Sequence, residues 1–534
     1  MRMSLQFVLM IAFSCLFSLC MTVGGRIVFS GDVYSKQTET YMESMTWTDG
    51  AVFVLIAGAA LCVLWVVHRC FDRLQAGCLA KKARRHRFGF ACFAAICLLA
   101  AWMPYVLSVA PGIVHGDSLE SIAQMLERGH PTSNHHPMFY TILVGIFLKI
   151  GTVCFGSVTA GVMLYSAFQI CMMVFCIVCV LMLMYDKGVH SILIGISLAY
   201  FMFMPIFANF AVTMWKDPLF SCMLLALSVL LFVLVDRRRV GRLWFVLFGC
   251  AGLGAMIFRN NGIYVFLVLS LMAAALVRRY AKRLAVAALA AIMLYAAMTT
   301  AATRLWNVHG DFVENLGIPL QQLGYAMNNG GEFSQEDREY LYTLMPDHVW
   351  GYAYRPCLVD TIKWNPLFDY TFLNSDKGRF FEVWAHGLKD NPLMYIKAYV
   401  LETFGFWLPG VQDDYGYTEI VAIPDNGYGI EPIDLFEQIF GFSIRQQVEA
   451  YQIYIGSGTL LWLCLFGCLL AMRQRKQACA AYLPALLNWG TVMVATPVAF
   501  SLRYVYIFAL GLPFYLALPL MIRNAEDKQK AGIS

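Results

Sequence analysis

The chain has 534 residues, of which 60% are hydrophobic and only 14% charged, and its mean hydropathy is +0.62. A soluble protein of this length carries about a quarter charged residues, so a soluble enzyme is excluded and an all-α polytopic membrane protein is expected. The formal charge of +5 does not imply nucleic acid, because the basic residues fall in short clusters between hydrophobic runs, as in Arg237-Arg238-Arg239 and Arg473-Gln474-Arg475-Lys476.

Hydropathy and length place about twelve transmembrane helices at 5–24, 49–68, 88–110, 158–184, 190–208, 217–235, 243–258, 262–277, 284–302, 452–472, 480–498 and 504–522. The first follows Met1-Arg2, lacks a small-residue cleavage site and reads as a retained helix. With both termini cytoplasmic, the basic clusters at 69–87, 236–242, 278–283 and 473–477 and the tail from Arg523 all fall inside. The loop 111–136 then falls outside. Most of the 17 cysteines lie within hydrophobic runs as apolar packing residues, and Cys357 alone sits well inside a polar stretch, so no disulfide framework is expected.

Taken in chain order, the loop after the third span is the first candidate for chemistry. His115, Asp117, Glu120, His130, His135 and His136 crowd a segment that needs only to reverse the chain. The spacing of Asp117 and Glu120 is that of a capping box, so Asp117 reads either as a helix cap or as a carboxylate able to act as general base. The histidines lack closed-site metal spacing and suit polar contacts to a sugar or phosphate; a divalent metal has no support. Residues 137–150 form an apolar segment of about 20 Å, too short to cross, and predict an interfacial helix started by Pro137 and capped by Ser133 or Asn134.

Further along, Lys216, Arg259 and Arg503 fall at external span ends, where the positive-inside rule disfavours them. Three recurrences call for an anionic partner, and next to the acidic loop they suit a phosphate clamp. Snorkelling to headgroups, and an ion pair of Asp217 with Lys216 or Arg259, are the alternatives. Between them lies a mixed external subdomain at 303–451 with an interfacial helix at about 395–411, and its aromatic residues, such as Trp350, Trp384 and Trp407, read as core or interfacial anchors. Three units follow: a transmembrane module at 1–302 with its external loop 111–157, the 303–451 subdomain, and a transmembrane module at 452–534 ending in a cytoplasmic tail.

The acidic loop after an early span, the run Asn134-His135-His136-Pro137-Met138-Phe139-Tyr140, a Gly-containing turn at Gly151 to Gly156 and the late Arg503-Tyr504 resemble the GT-C membrane glycosyltransferases. The comparable loop of protein O-mannosyltransferase-like and aminoarabinose-transferase-like members carries an acidic residue before a His-Pro-Pro-Leu-Tyr-type helix. The Trp-Lys-Asp and Arg-Asn-Asn-Gly motifs are similar to those of a bacterial group of GT-C-like proteins. This chain departs in having a single proline there and in separating its acidic pair.

The resemblance implies a cell-membrane enzyme that moves a sugar from a polyprenyl-phosphate co-substrate to an extracytoplasmic glycan, lipid or protein acceptor. Asp117 would be the base with Glu120 beside it, and Lys216, Arg259 and Arg503 would hold the carrier phosphate. His130, His135, His136, Asp217, Asn260 and Tyr504 would contact substrate. The competing readings are a transporter or flippase of lipid-linked or envelope precursors and a non-catalytic envelope assembly protein.

Overall fold

The computed structural model describes residues 5–29, 39–78, 86–127, 129–130, 133–134, 136–237, 239–306, 308, 310, 312–412, 423–451, 453, 455–495 and 501–522. Among them the chain is almost entirely helical. The one sheet is a short antiparallel pair, β1 (Ile27–Phe29) with β2 (Thr40–Met42), joining the first helix, α1 (Leu5–Gly24), to α2 (Trp47–Cys78). There follow α3 (Arg87–Ser108), α4 (Gly116–Leu126), α5 (Met138–Phe155), α6 (Val158–Asp186), α7 (Ser191–Phe203), α8 (Pro205–Val212), α9 (Lys216–Asp236), α10 (Leu243–Phe258), α11 (Gly262–Leu276) and α12 (Ala281–Trp306).

Eight helices among the described residues are long and apolar enough to cross a membrane, or nine if α7 and α8 form one bent span. Each of the twelve segments picked out by hydropathy overlaps a helix, 190–208 two of them, and residues 452, 454 and 496–498 of those segments lie outside the described residues. Four of them, α10, α11 and the late helices Leu483–Val494 and Ile507–Met521, have fewer than 18 residues. The length expected for 137–150 needs correction. Helix α5 runs for 18 residues to Phe155 and passes the length and hydropathy test for a span. The expected turn at Gly151 is helical, and only Gly156, at φ 67°, ends the helix in the left-handed region.

Gly151 stays in the helix because the next helix presses against it. A Cβ on Gly151 would lie 2.2 Å from the Gly161 backbone nitrogen, and one on Gly161 would lie 2.6 Å from Leu148 Cα. The neighbours are backbone atoms, which cannot move aside as a flexible side chain can. Gly161→Ala is therefore expected to destabilise by about 1–3 kcal/mol, the range for overpacking. Thermal unfolding of the purified variant in detergent checks this; an unchanged midpoint would show that α5 and α6 do not touch there. Further along the pair, Phe147 packs on Tyr165 and Phe168, so α5 lies against the first turns of α6.

Helix α9 is the centre of the bundle. In its best apolar window 83% of residues are buried, against 6% for the peripheral α2. It packs on α6 and α10 and on two late helices. At its C-terminal end, Arg279 and Arg475 donate to the carbonyls of Val235 and its neighbours, and Lys187 pairs with Asp236. Those basic groups gather about 30 Å from the N-terminal end of α9, at 1.5 Å per residue.

The break before α9 has a local cause. Met204 leaves the helical region ahead of Pro205, which lacks an N–H and clashes with the preceding turn, and α8 turns 52° from α7. The carbonyls freed at the end of α8 are met by Gln169, buried in α6, whose amide donates to Phe210 O at 2.8 Å and Thr213 O at 2.5 Å. The chain then runs extended beside the residues preceding α4: Ile113 N–H donates to Val212 O and Met214 N–H to Ile113 O, each at 2.9 Å. Gly112, at φ 135°, permits this approach, since a Cβ there would lie 2.8 Å from Val212 O.

The 303–451 stretch is helical among its described residues, not mixed. Helices α13 (Gly317–Asn328), α14 (Gln335–Leu344), α15 (Asp347–Ala353), α16 (Asp360–Lys363), α17 (Tyr370–Ser375), α18 (Lys377–Asp390) and α19 (Pro392–Thr403) are followed by α20 (Leu435–Phe440) and α21 (Arg445–Ala450). Helices α13 to α19 share one apolar cluster containing Leu320, Leu341, Trp350, Phe380 and Tyr395. The polar spacing here comes from capping residues: Ser334, Asp369, Asp376 and Asp434 each accept an N–H at a helix start. The apolar piece at 395–411 is the end of α19 with one 3₁₀ turn, Phe404–Phe406. Helices α22 (Ser457–Gln474), α23 (Leu483–Val494) and α24 (Ile507–Met521) close the fold.

Candidate functional site

At the N-terminal end of α9, side chains from four distant segments meet. Lys216 and Asp217 occupy the first turn of α9, Asp117 the first turn of α4, Arg259 the end of α10 and Arg503 a 3₁₀ turn, Leu502–Val505, before α24. The extended pairing described above joins α4 to α9, and Ser118 Oγ reinforces it by donating to Met214 O at 2.6 Å. Gly262 fixes Arg259: a Cβ there would lie 2.2 Å from Ala255 O, so only glycine allows so tight a turn between α10 and α11.

Arg503 bridges the two aspartates. Its Nη2 donates to Asp117 Oδ2 at 2.5 Å and its Nε to Asp217 Oδ2 at 2.6 Å. Arg259 Nη1 lies 3.0 Å from Asp217 Oδ1, and Lys216 Nζ lies 3.9 Å from Asp117 Oδ2 and 2.9 Å from His136 Nδ1. Aromatic rings wall the cluster. The Arg503 guanidinium sits 4.5 Å from the Trp215 ring centre and that of Arg259 5.0 Å from Tyr504, while Trp215 stacks on His115.

The two carboxylates differ in setting. The Asp217 side chain is 1% exposed and the Asp117 side chain 40%. Asp117 does not cap its helix, because His115 is the residue at the cap and no side chain bonds there. The capping alternative is therefore set aside, and the carboxylate turns to Arg503 and Lys216. Burial would raise its pKa, but the charges of Arg503, Lys216 and His136 outweigh burial and hold it well below the usual carboxylate range. Asp117 is thus ionised at neutral pH, and its ion-pair stabilisation is lost only in strong acid.

The remaining expected residues divide. His136, 3% exposed, joins the cluster through Lys216, and Tyr504 lies under Arg259. Asn260 reaches away, donating to Asn134 O at 2.8 Å, and Asn134 Oδ1 receives Met138 N–H at the start of α5. His135 lies outside the described residues. His130 stands apart, with Nε2 2.9 Å from Glu120 and Nδ1 3.3 Å from Glu127, which also accepts the Tyr428 hydroxyl. Among the described residues, no three His, Cys, Asp or Glu side chains gather as a metal site. Gln169 had no role in the sequence reading, although a lone amide in a charge-free span was the available signal, and Trp215 entered only as part of the Trp-Lys-Asp motif.

The hydrogen bond that the His130 ring donates to the Glu120 carboxylate, helped by Glu127, raises the pKa of His130. A raised value means that the stabilisation is fully present below the unfolded pKa of about 6.5 and is lost as the pH climbs through the higher folded value. The tie between α4 and the loop after it is therefore expected to loosen in mildly alkaline solution. Hydrogen exchange of residues 120–130 between pH 6 and 9 checks this, and exchange protection that is the same in wild type and His130→Gln at every pH would remove it.

The sequence profile of a family described as a family of unknown function (DUF6020) matches residues 129–532. The match takes in Lys216, Arg259 and Arg503 and begins beyond Asp117 and Glu120. No curated protein and no solved structure matches the chain.

Proposed function

The chain belongs to the DUF6020 family, and from that premise we propose that it is a membrane glycosyltransferase of GT-C type, transferring a sugar from a polyprenyl-phosphate carrier to an extracytoplasmic acceptor. The observation that carries the reading is the meeting of Asp117 with Lys216 and Arg503, beside Arg259 and Asp217, in one aromatic-walled cluster. Three cations against two carboxylates leave an excess of one positive charge before His136 is counted. Such a site favours an anion, and a lipid phosphate arrives at the headgroup level where span ends lie.

In this proposal the chain crosses a cell membrane about twelve times, with its termini in a bacterial cytoplasm and the cluster on the outer side. Helix α6 has 29 residues, about 44 Å, and so exceeds a hydrocarbon core of roughly 30 Å. Because α5 lies on the first turns of α6, we place α5 at the outer interface despite its length. The basic groups at the far end of α9 then fall inside, as the positive-inside rule requires.

The proposed chemistry is a single displacement. The acceptor hydroxyl or amine gives its proton to Asp117 and its lone pair to the anomeric carbon, while the bond from that carbon to the carrier phosphate oxygen breaks. The electron pair leaves on the phosphate, whose growing charge Arg503 and Lys216 neutralise. One base and in-line attack invert the anomeric centre. The test is transfer by the purified protein in proteoliposomes supplied with polyprenyl-phosphate sugars, with product anomers assigned by NMR. A retained anomer would overturn the single displacement, and absence of transfer from any such donor would overturn the function.

The bent pair α7 and α8, ending just before Lys216, supports a second reading, since transporters place sites at broken helices. Passage of an intact lipid-linked sugar across the proteoliposome membrane, without transfer, would favour it.

A further inference from the structure

We propose that the Asp117 carboxylate fills, in the resting protein, the seat of a single lipid phosphate, and that the incoming phosphate takes Arg503 and Lys216 from Asp117 and so frees it to act. This rests on the glycosyl-transfer reading and assigns the two aspartates separate parts.

Asp217 is the fixed counter-ion. It holds Arg503 Nε at 2.6 Å and Arg259 Nη1 at 3.0 Å, and its side chain is 1% exposed. To leave them it would have to remain a buried, uncompensated charge. Asp117 is the exchangeable one. Its side chain is 40% exposed and reaches Arg503 through a single oxygen, which also lies 3.9 Å from Lys216. The backbone beneath it is pinned by Ser118 Oγ on Met214 O, so a side-chain rotation suffices and α4 need not move.

Charge sets the class of ligand. With Asp117 turned away, Lys216, Arg259 and Arg503 face only Asp217, and 3 − 1 leaves two positive charges. A sugar phosphodiester brings one negative charge and leaves as a monoester with about two. The count is balanced at the leaving-group stage. A diphosphate leaving group would carry about three and exceed it. Asp117 therefore competes with the ligand for the same cations before it serves the acceptor, which couples activation of the base to donor arrival.

The test is binding to the full-length protein in nanodiscs, with farnesyl phosphate, farnesyl diphosphate and inorganic phosphate as probes. Asp117→Asn is expected to bind farnesyl phosphate about tenfold more tightly than wild type, because a competing charge-assisted hydrogen bond is gone. Asp117→Ser serves as the second variant if the first unfolds. Both proteins are expected to prefer the monophosphate to the diphosphate. Affinity in these variants equal to or weaker than wild type, with wild type binding, overturns the exchange and leaves the function standing. No binding by wild type or any variant overturns both. Inorganic phosphate bound as tightly as farnesyl phosphate overturns the lipid assignment, and a preference for the diphosphate overturns the charge argument.

Discussion

Asp117→Asn is expected to lower sugar transfer about a thousandfold while leaving the protein folded and its carrier bound. A positioned general base contributes about 10²–10⁴ in rate, and the amide that replaces it cannot accept the acceptor's proton. The fold should tolerate the change, because Asp117 is partly exposed and α4 starts without a side-chain cap from this residue. The measurement is initial rate in proteoliposomes alongside thermal unfolding of the same preparation. A variant that retains most of its rate would show that the carboxylate is only a counter-ion for Arg503, and the acid–base part of the proposal would have to move elsewhere.

Arg503→Met should instead act first on stability. It removes the guanidinium that links both aspartates and leaves Asp217 buried with a single close partner, Arg259. Breaking a buried pair from one side costs about 3–5 kcal/mol, and the surviving contact at 3.0 Å argues for the lower end. Loss of the stacking on Trp215 at 4.5 Å adds to this. Replacing the whole buried group, as Arg503→Met with Asp217→Leu and Arg259→Met, is expected to recover much of the unfolding temperature but none of the transfer. If the single variant melts with the parent, Asp217 is not the fixed counter-ion argued above. If the triple variant is no better than the single, the cost lies in packing and not in an orphaned charge.

The helices were legible because their signal is local. Nineteen or so apolar residues in succession leave the backbone little choice in a lipid-like setting, and hydropathy also picked out the shorter α10 and α11. The interruption at Pro205 was less legible, and hydropathy ran 190–208 as one element where the structure bends. At 303–451 the sequence misled, since Ser334 or Asp376 reads equally as a turn residue and as a helix cap. The extent of α5 was underestimated for a similar reason: Gly151 signals a break unless a second glycine, Gly161, is known to face it.

For the site, composition and spacing named most of the participants without their partners. Lys216, Arg259 and Arg503 drew notice as cations at unexpected span ends, and Asp117 as a carboxylate in a crowded loop. Spacing along α4 left Asp117 either as the cap of its own helix or as a free carboxylate. The structure puts His115 at the cap, and the contact that engages Asp117 comes from Arg503, 386 positions away.

What the sequence determined by itself, then, was which segments are apolar helices and which charged residues sit at odds with their surroundings, because hydrophobic transfer and charge asymmetry act residue by residue. Only the tertiary structure decided which of those charges meet. Pairing energies depend on distance and burial, and those were set by the extended contact of Ile113 with Val212 and Met214, by the close turn at Gly262 and by the packing around α9. The same packing made Asp217 a buried counter-ion and left Asp117 accessible, a distinction that two aspartates in a sequence cannot carry.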